Sequence, residues 1–352
     1  MTTLVTGGAG YIGSHAVARL LAEGRRVLVI DNLSRGHAGS LDRLRAAGGF
    51  APDRLVFERG DIGDRPRVAA LLRSHAVTEV LHFAAFASVP ESVGEPLAYF
   101  RNNTADATAL LEACDGAGVQ RLVFSSTCAT YGMPPPERIP ISEDCPQNPV
   151  NPYGASKLMF ERVLKDFTLA RASAGRPFGC AMLRYFNVAG CSRAGVLGED
   201  HDPETHIIPL VLQTLLGQRE HLTITGTDYP TPDGTCIRDY IHVDDLVDAH
   251  LAVLRALKPG EARAYNLGIG KGVSVREVVR SAERVTGRRV PVKEGPRRPG
   301  DPPTLFADPS KIRRELGWSA AVTDLDEIIA SAWRWFSANP RGYGGPRSGA
   351  GP

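Results

Sequence analysis

Short apolar runs alternate with stretches of helical spacing along the first half of the chain. The runs lie at 4–5, 27–30, 55–58, 80–83 and 122–125 and read as buried strands. Between them apolar residues recur three and four positions apart, as at Ile12, Ala16, Val17, Leu20 and Leu21, and again across 67–74 and 105–113. This alternation predicts an α/β fold: a Rossmann-type doubly wound parallel sheet with helices on both faces. Ligands of such sheets sit at the carboxyl ends of the strands, so the residues just past each run are where chemistry is expected.

The pattern changes after a sixth predicted strand at 181–187. Residues 190–206 read as polar loop, 207–216 as helix, 222–225 as a short strand and 229–235 as turns. A strand-like run at 237–243 leads into a helix at 244–257, followed by a short strand at 265–268 and a helix at 275–286. A basic loop at 297–301 precedes helices at 311–316 and 326–336. The chain therefore divides into a first domain over 1–188, with elements returning to it near 237–268, and a smaller mixed α/β domain over 189–340. Residues 341–352 have the composition of a disordered tail.

Composition narrows the function. With 352 residues, 43% of them apolar, the chain can build full cores, and its net charge of +2 gives no electrostatic case for nucleic acid or an anionic membrane. No apolar run approaches a membrane span, and the N-terminus enters a strand without the zones of a signal peptide. Cysteines at 114, 128, 145, 180, 191 and 236 form no CxxC pair, and no Cys/His cluster has metal spacing. The expectation is a cytoplasmic protein with reduced thiols and no metal.

The strand ends carry the candidate chemistry. Past the first run, Gly7, Gly8, Gly10 and Gly13 form a loop opening a helix, and Gly8-x-Gly10-x-x-Gly13 fits the dinucleotide fingerprint. Asp31 ends the second run 18 residues past Gly13, near the spacing of a ribose-binding carboxylate, and favours NAD over NADP; Arg35 nearby weakens that preference slightly. Asp61 reads equally as an adenine contact or a turn residue. Small residues Ala84 and Ala85 suit either a close cofactor or plain packing, and His82 reads as a packed histidine. Ser125, Ser126 and Thr127 are either a turn or substrate hydrogen-bonders. A helix predicted from Asn151 to about Leu169 carries Tyr153 and Lys157 four apart, on one face. A lysine ammonium there would favour the phenolate and make a proton acceptor of a group whose ordinary pKa is about 10. The plainer reading is an exposed Tyr and Lys. Arg238 and Arg298 read as surface salt bridges on their own, though Arg suits bidentate phosphate contact.

Taken together, these stretches resemble the extended short-chain dehydrogenase/reductases, and within them the UDP-sugar 4-epimerases. The resemblance covers about residues 1–338. It rests on Val5-Thr-Gly-Gly-Ala-Gly-Tyr-Ile-Gly-Ser14, Asp31-Asn-Leu-Ser34, Gly60-Asp-Ile62, Leu81-His-Phe-Ala-Ala85, Asn102-Asn103, Phe124-Ser-Ser-Thr127, Asn151-Pro-Tyr-Gly-Ala-Ser-Lys157 and Leu183-Arg-Tyr-Phe-Asn187. The more specific part is Asp228-Tyr-Pro-Thr-Pro-Asp-Gly-Thr235, Arg238-Asp-Tyr-Ile-His-Val243 and Arg298-Pro-Gly-Asp301.

The resemblance implies a tightly held NAD in the first domain, a UDP-sugar mainly in the second, and interconversion of UDP-glucose and UDP-galactose through a 4-keto sugar. Tyr153 would take the proton of the sugar 4-hydroxyl, Lys157 would hold the nicotinamide ribose and tune Tyr153, and Thr127 would bond the 4-oxygen. Gly7, Gly10, Tyr11, Ile12, Gly13, Asp31 and Asn32 match cofactor positions, as do Asp61, Ile62, Phe83, Ala84, Ala85, Asn103, Tyr153, Lys157 and Phe186. Asn187, His206, Ile207, Thr223, Ile224 and Thr225 match UDP positions, with Arg238, Arg298 and Asp301; the two arginines would take the diphosphate. The resemblance also implies a homodimer.

Two positions depart from the family pattern. A lysine of some members is Ala87 here, and the position that gates the sugar pocket, often tyrosine, is Leu305, which extends the expected range to UDP-N-acetylhexosamines. Cys128 and Ala129 after Thr127 argue against a 4,6-dehydratase, which needs an acid and a base there. An epimerase of UDP-pentoses or UDP-uronic acids remains an alternative. A non-catalytic NAD-binding regulatory protein would be expected to lack Tyr153 or Lys157.

Overall fold

The computed structural model describes residues 1–176, 178–298 and 300–344. Its centre is a sheet of seven strands: β1 (Thr2–Thr6), β2 (Arg26–Asp31), β3 (Leu55–Arg59), β4 (Val77–His82), β5 (Arg121–Thr127), β6 (Gly179–Tyr185) and a strand from late in the chain (Ala262–Leu267). The late strand adds at the β6 edge, every pairing is parallel, and from that edge the order runs β6-β5-β4-β1-β2-β3. The chain reverses its direction of travel between β1 and β4, which opens a crevice at the carboxyl ends of those strands.

Helices cover both faces. On one, α1 (Tyr11–Ala22) and α2 (Ala38–Ala47) bury Leu20 and Leu41 with Val5, Val29 and Leu81 of the sheet. On the other, α3 (Arg65–Ser74), α4 (Val89–Gly94), α5 (Pro96–Phe100), α6 (Ala107–Ala117) and α7 (Pro152–Ser173) follow in order, and Leu72, Leu110 and Phe160 pack on Leu4, Val80 and Leu122. Sheet strands buried on both faces need nearly continuous apolar sequence, which is why they stood out. The helix predicted at 105–113 begins at Ala107, after a π-helical turn at Arg101–Asp106.

The smaller domain contains β7 (Asn187–Ala189), α8 (Ile207–Leu215), β8 (Leu222–Thr225), β9 (Ile237–Arg238), β10 (Tyr240–His242) and α9 (Val243–Ala256); α9 returns to the first domain. With the late sheet strand as β11, the chain continues through β12 (Val273–Ser274), α10 (Val275–Thr286), β13 (Val292–Gly295), β14 (Thr304–Leu305), α11 (Ser310–Leu316) and α12 (Leu325–Ala338). A separate core joins α8, α10 and α12 through Leu212, Val278 and Trp335. Ser274 and Glu277 close a reciprocal capping box at the start of α10.

The run expected as one strand at 237–243 is broken at Asp239. Its buried carboxylate accepts hydrogen bonds from the backbone N–H groups of Ile269 (2.9 Å), Gly270 (3.1 Å) and Ala307 (3.2 Å), so β9 pairs with β12 and β14 while β10 pairs with β7. The run at 181–187 divides likewise, between β6 and β7. The tail expected to be disordered from 341 is instead ordered as far as Gly344. Tyr343 accepts from Gly198 N–H, donates to the Gly198 carbonyl at 3.0 Å and packs on Trp335, and the rest of the expected tail lies outside the described residues. Among the described residues no helix is long and apolar enough to cross a membrane.

Candidate active site

A cleft of about 990 Å³ runs between the carboxyl ends of the central strands and the smaller domain. Every residue matched to a catalytic, cofactor or UDP position lines it except Asn103, whereas Gly8, His82 and Ser126 do not. Asn103 stands behind the wall, 2% exposed, where its amide accepts from Phe86 N–H and donates to the Phe86 carbonyl and to Ser156.

The glycine loop is required by close approach. A Cβ on Gly7, whose φ is +68°, would stand 2.6 Å from Ala84 N, and one on Gly13 would stand 2.1 Å from the Gly7 carbonyl oxygen. The loops after β1 and β4 can pass each other only without side chains there. No side chain caps α1 at Gly10, so the first-turn N–H groups of the helix remain directed at the cleft, a cradle for a diphosphate. At the end of β2, Asp31 is 7% exposed and accepts from Ala9 N–H (3.0 Å) and Leu33 N–H (2.8 Å). Burial raises its pKa, and those two bonds oppose the shift. Arg35, the cation that weakened the preference for NAD, is paired with Glu91 of α4 and lies over the Phe86 ring. An acidic strand end beside an already paired arginine fits NAD. Asn32 and Asp61 meet at the far end of the groove, 3.4 Å apart.

The three hydroxyls after β5 part company because strand side chains alternate. Ser125 and Thr127 line the cleft, whereas Ser126 turns inward and donates to Glu161 at 2.6 Å. Helix α7 begins at Asn151, whose side chain accepts from Gly154 N–H at 2.8 Å, with Pro152 in the first turn. A Cβ on Gly154 would meet the Ala129 carbonyl oxygen at 2.4 Å, so α7 starts pressed against the turn after Thr127. That contact brings Tyr153 beside Thr127. One helical turn on, Lys157 is 3% exposed and donates to the Ser125 carbonyl at 2.8 Å, with its ammonium 4.7 Å from the Phe124 ring.

Burial pulls Lys157 down to about 7, against the charge of Glu161. Tyr153 opens onto the cleft but is walled round by it. That burial pushes its phenol above the ordinary value, Tyr185 adds to the push, and hydrogen bonding with Thr127 opposes it. The expected lowering of Tyr153 by Lys157 is therefore not what dominates here: desolvation acts on both groups, and the lysine is bonded to a carbonyl. His82 is packed as expected, 2.7 Å from the Thr6 hydroxyl and stacked on Phe124, with burial and Lys157 lowering it to about 3.

Beneath the site lies a buried pair absent from the sequence reading. Arg184 (2% exposed) grips Glu161 (0% exposed) at 2.6 and 2.9 Å, and also bonds Tyr131 and Gln147. It fixes α7 to β5 and β6. The available signal was Glu161 standing four after Lys157 on the same helix face.

The opposite wall comes from the smaller domain. The parallel register of β9 and β14 sets Leu305 across from Arg238. The Arg238 guanidinium pairs with Asp301 and donates to the Ile237 carbonyl at 2.7 Å, while Arg298 is exposed at the rim. Leu305, 8% exposed, packs with Tyr131, Ile141 and Cys145. Asn187 and Phe186, Ile207 at the start of α8 and Thr223, Ile224 and Thr225 of β8 complete this side. His206 does not stand alone: Glu199, His201 and Glu204 gather round it. Burial works against charge on both imidazoles, but hydrogen bonds and charge from the carboxylates outweigh it and lift His201 to about 9.

The sequence model of the NAD dependent epimerase/dehydratase family matches residues 3–268. The chain is 47% identical over 345 residues to a UDP-glucose 4-epimerase of Lacticaseibacillus casei, covering 98% of this chain and 99% of that one. It is 46% identical to a probable UDP-arabinose 4-epimerase of Oryza sativa, over 97% and 83% of the two chains. Among solved structures, the UDP-glucose 4-epimerase of Bifidobacterium longum in complex with NAD+ and UDP superposes with a TM-score of 0.91 at 37% identity, over 97% of this chain and all of that one. The chain belongs to the NAD dependent epimerase/dehydratase family.

Proposed function

We propose that this NAD-dependent enzyme interconverts UDP-glucose and UDP-galactose by oxidation and re-reduction at C4 of the sugar. The observation that carries the reading is the meeting of Tyr153, Thr127 and Lys157 at the end of β5, between a glycine cradle and the Arg238–Asp301 pair. The cradle at Gly10–Gly13, Asp31 and Lys157 hold NAD. When bound, NAD supplies a cationic ring that takes a hydride from C4 and returns it. Tyr153 accepts the proton of the 4-hydroxyl and gives it back, and Thr127 bonds the same oxygen and keeps it in line. Arg238 and Arg298 hold the diphosphate firmly. The hexosyl group is held more loosely, so the 4-keto sugar can present either face.

A second reading, a UDP-pentose substrate, is supported by the nearly equal likeness to the rice protein named for UDP-arabinose. Leu305 in place of a larger gate extends the range to UDP-N-acetylhexosamines. The test incubates purified protein, without added NAD, with UDP-galactose, UDP-N-acetylgalactosamine and UDP-arabinose, and analyses the products. Conversion of UDP-galactose is expected. Conversion of UDP-arabinose alone would replace the hexose reading, and no conversion of any of them with NAD supplied would overturn 4-epimerisation. If Leu305→Tyr leaves the ratio of N-acetyl to plain hexose turnover unchanged, Leu305 is not the gate.

The protein acts as a cytoplasmic homodimer in this reading. All six cysteines are unpaired, which suits a reducing compartment. Leu97 on α5 with Met159 and Leu169 on α7 are 81%, 48% and 64% exposed, an apolar set suited to a second copy. Light scattering should give the mass of two 37.8 kDa chains.

A further inference from the structure

The loop at 199–206 closes one end of the cleft and folds four side chains onto one point. Glu199 Oε1 lies 3.2 Å from His201 Nδ1 and 3.1 Å from His206 Nδ1. Glu204 Oε1 lies 2.9 Å from His206 Nδ1, and its Oε2 lies 3.6 Å from His201 Nδ1. Bonds of roughly 2.0–2.2 Å set neighbouring tetrahedral ligand atoms about 3.3–3.6 Å apart, so three of these four contacts are shorter than such an edge and an ion would spread the groups by a few tenths of an ångström. Two imidazoles with two carboxylates is a donor set suited to zinc and its neighbours.

Burial sharpens the case. Both carboxylate side chains are 4% exposed, so their pairs with the two imidazoles stand largely out of water. Glu199 Oε1 and His201 Nδ1 are buried and face each other at 3.2 Å. Glu204 Oε1 already accepts from Thr205 N–H (2.7 Å) and His206 N–H (2.8 Å). Backbone bonds of this kind orient a ligating carboxylate and leave its second oxygen for the ion.

We propose that Glu199, His201, Glu204 and His206 form a site for one divalent transition-metal ion of the zinc class, which fixes the loop presenting His206 and Ile207 to the cleft. The ion plays no part in proton or hydride movement at C4, where Tyr153 and NAD suffice. Its place is structural, tying the segment before α8 to itself.

The test uses the full-length protein, treated with a chelator, desalted and titrated with Co2+ alone. The expected result is one equivalent bound, with the visible ligand-field band of tetrahedral cobalt, displaced by one equivalent of Zn2+. Glu199→Gln and His201→Ala should weaken binding by more than about 100-fold, beyond the loss of an outer partner. His221→Ala, away from the cluster, should leave it unchanged. Zn2+ should raise the melting temperature of the parent and not of Glu199→Gln. Substoichiometric Co2+ without the band would overturn the site, as would binding unaffected by Glu199→Gln and His201→Ala. A cobalt–thiolate charge-transfer band would place the ion on a cysteine and overturn it equally. No readout depends on turnover, so the outcome stands apart from the epimerase reading.

Discussion

On the wall of the cleft proposed to hold the cofactor the close contacts are made by backbone, while on the wall proposed to hold the nucleotide sugar they are made by side chains. The first wall is a seven-stranded parallel sheet whose loops after β1 and β4 touch through Gly7, Ala84 and Gly13. The second is assembled from strands of two to four residues, tied by the Arg238–Asp301 pair and by the bonds converging on Asp239. Backbone that is already close-packed admits no partial change. Side-chain pairs can be exchanged one at a time, with graded effects. A wall of the first kind suits a molecule that is retained, and one of the second kind suits a substrate that comes and goes.

The largest effect lies at the seam where the walls meet. Tyr153→Phe removes the proposed proton acceptor and leaves both walls standing. Its kcat should fall ~10²–10⁴-fold in a coupled UDP-galactose assay, with NAD content and UDP affinity unchanged. A loss of NAD in that variant would make Tyr153 part of the cofactor wall instead.

Breaking the backbone wall comes next. Gly13→Ala drives a methyl group to within 2.1 Å of the Gly7 carbonyl oxygen. The variant should purify without NAD, seen in its absorbance ratio, and lose about 2–3 kcal/mol of stability in urea unfolding. Retained NAD at full stability would show that the loop can give. On the opposite wall, Arg238→Met should be milder and separable. It leaves Asp301 without its partner and weakens UDP-sugar binding by about 2 kcal/mol, ~30-fold in KM, while NAD stays bound. If NAD content falls with it, the two walls are not independent.

What was legible in the sequence follows the same division. The central strands declared themselves because a sheet buried on both faces demands apolar runs, and the glycine loop and the Tyr153–Lys157 pair are local patterns. The smaller domain was less legible. β13 reads Val-Lys-Glu-Gly and is mostly exposed, and β14 has two residues, so neither carries a period. Pro90, Gly94 and Pro96 interrupt α4 and α5, and α2 was hidden by Gly39 near its start. At the site, the sequence could not show pairs made across the fold. Arg35 finds Glu91, Glu161 finds Arg184, and Leu305 reaches Arg238 only through strand register. The search for metal spacing used cysteine and histidine, so it did not single out the loop where two histidines and two glutamates gather.

A pH effect on stability alone tests how dry the seam is. Burial brings Lys157 to about 7 from its ordinary 10.5. Between those values the unfolded chain holds the lysine proton and the folded chain does not, so folding stability rises with pH across that window. Below pH 7 both states are charged and the buried ammonium destabilises the fold in full; above 10.5 neither is charged and the effect is gone. Lys157→Met removes this term together with the bond to Ser125. In cofactor-stripped protein the variant should therefore gain on the parent most at pH 6, with the gain shrinking by about 2–3 kcal/mol by pH 9 in paired urea titrations. A difference that is flat with pH would mean that Lys157 keeps its ordinary charge in the fold. The floor of the cleft would then be wet enough to solvate an ammonium, and Tyr153 would have that charge beside it even before a substrate arrives.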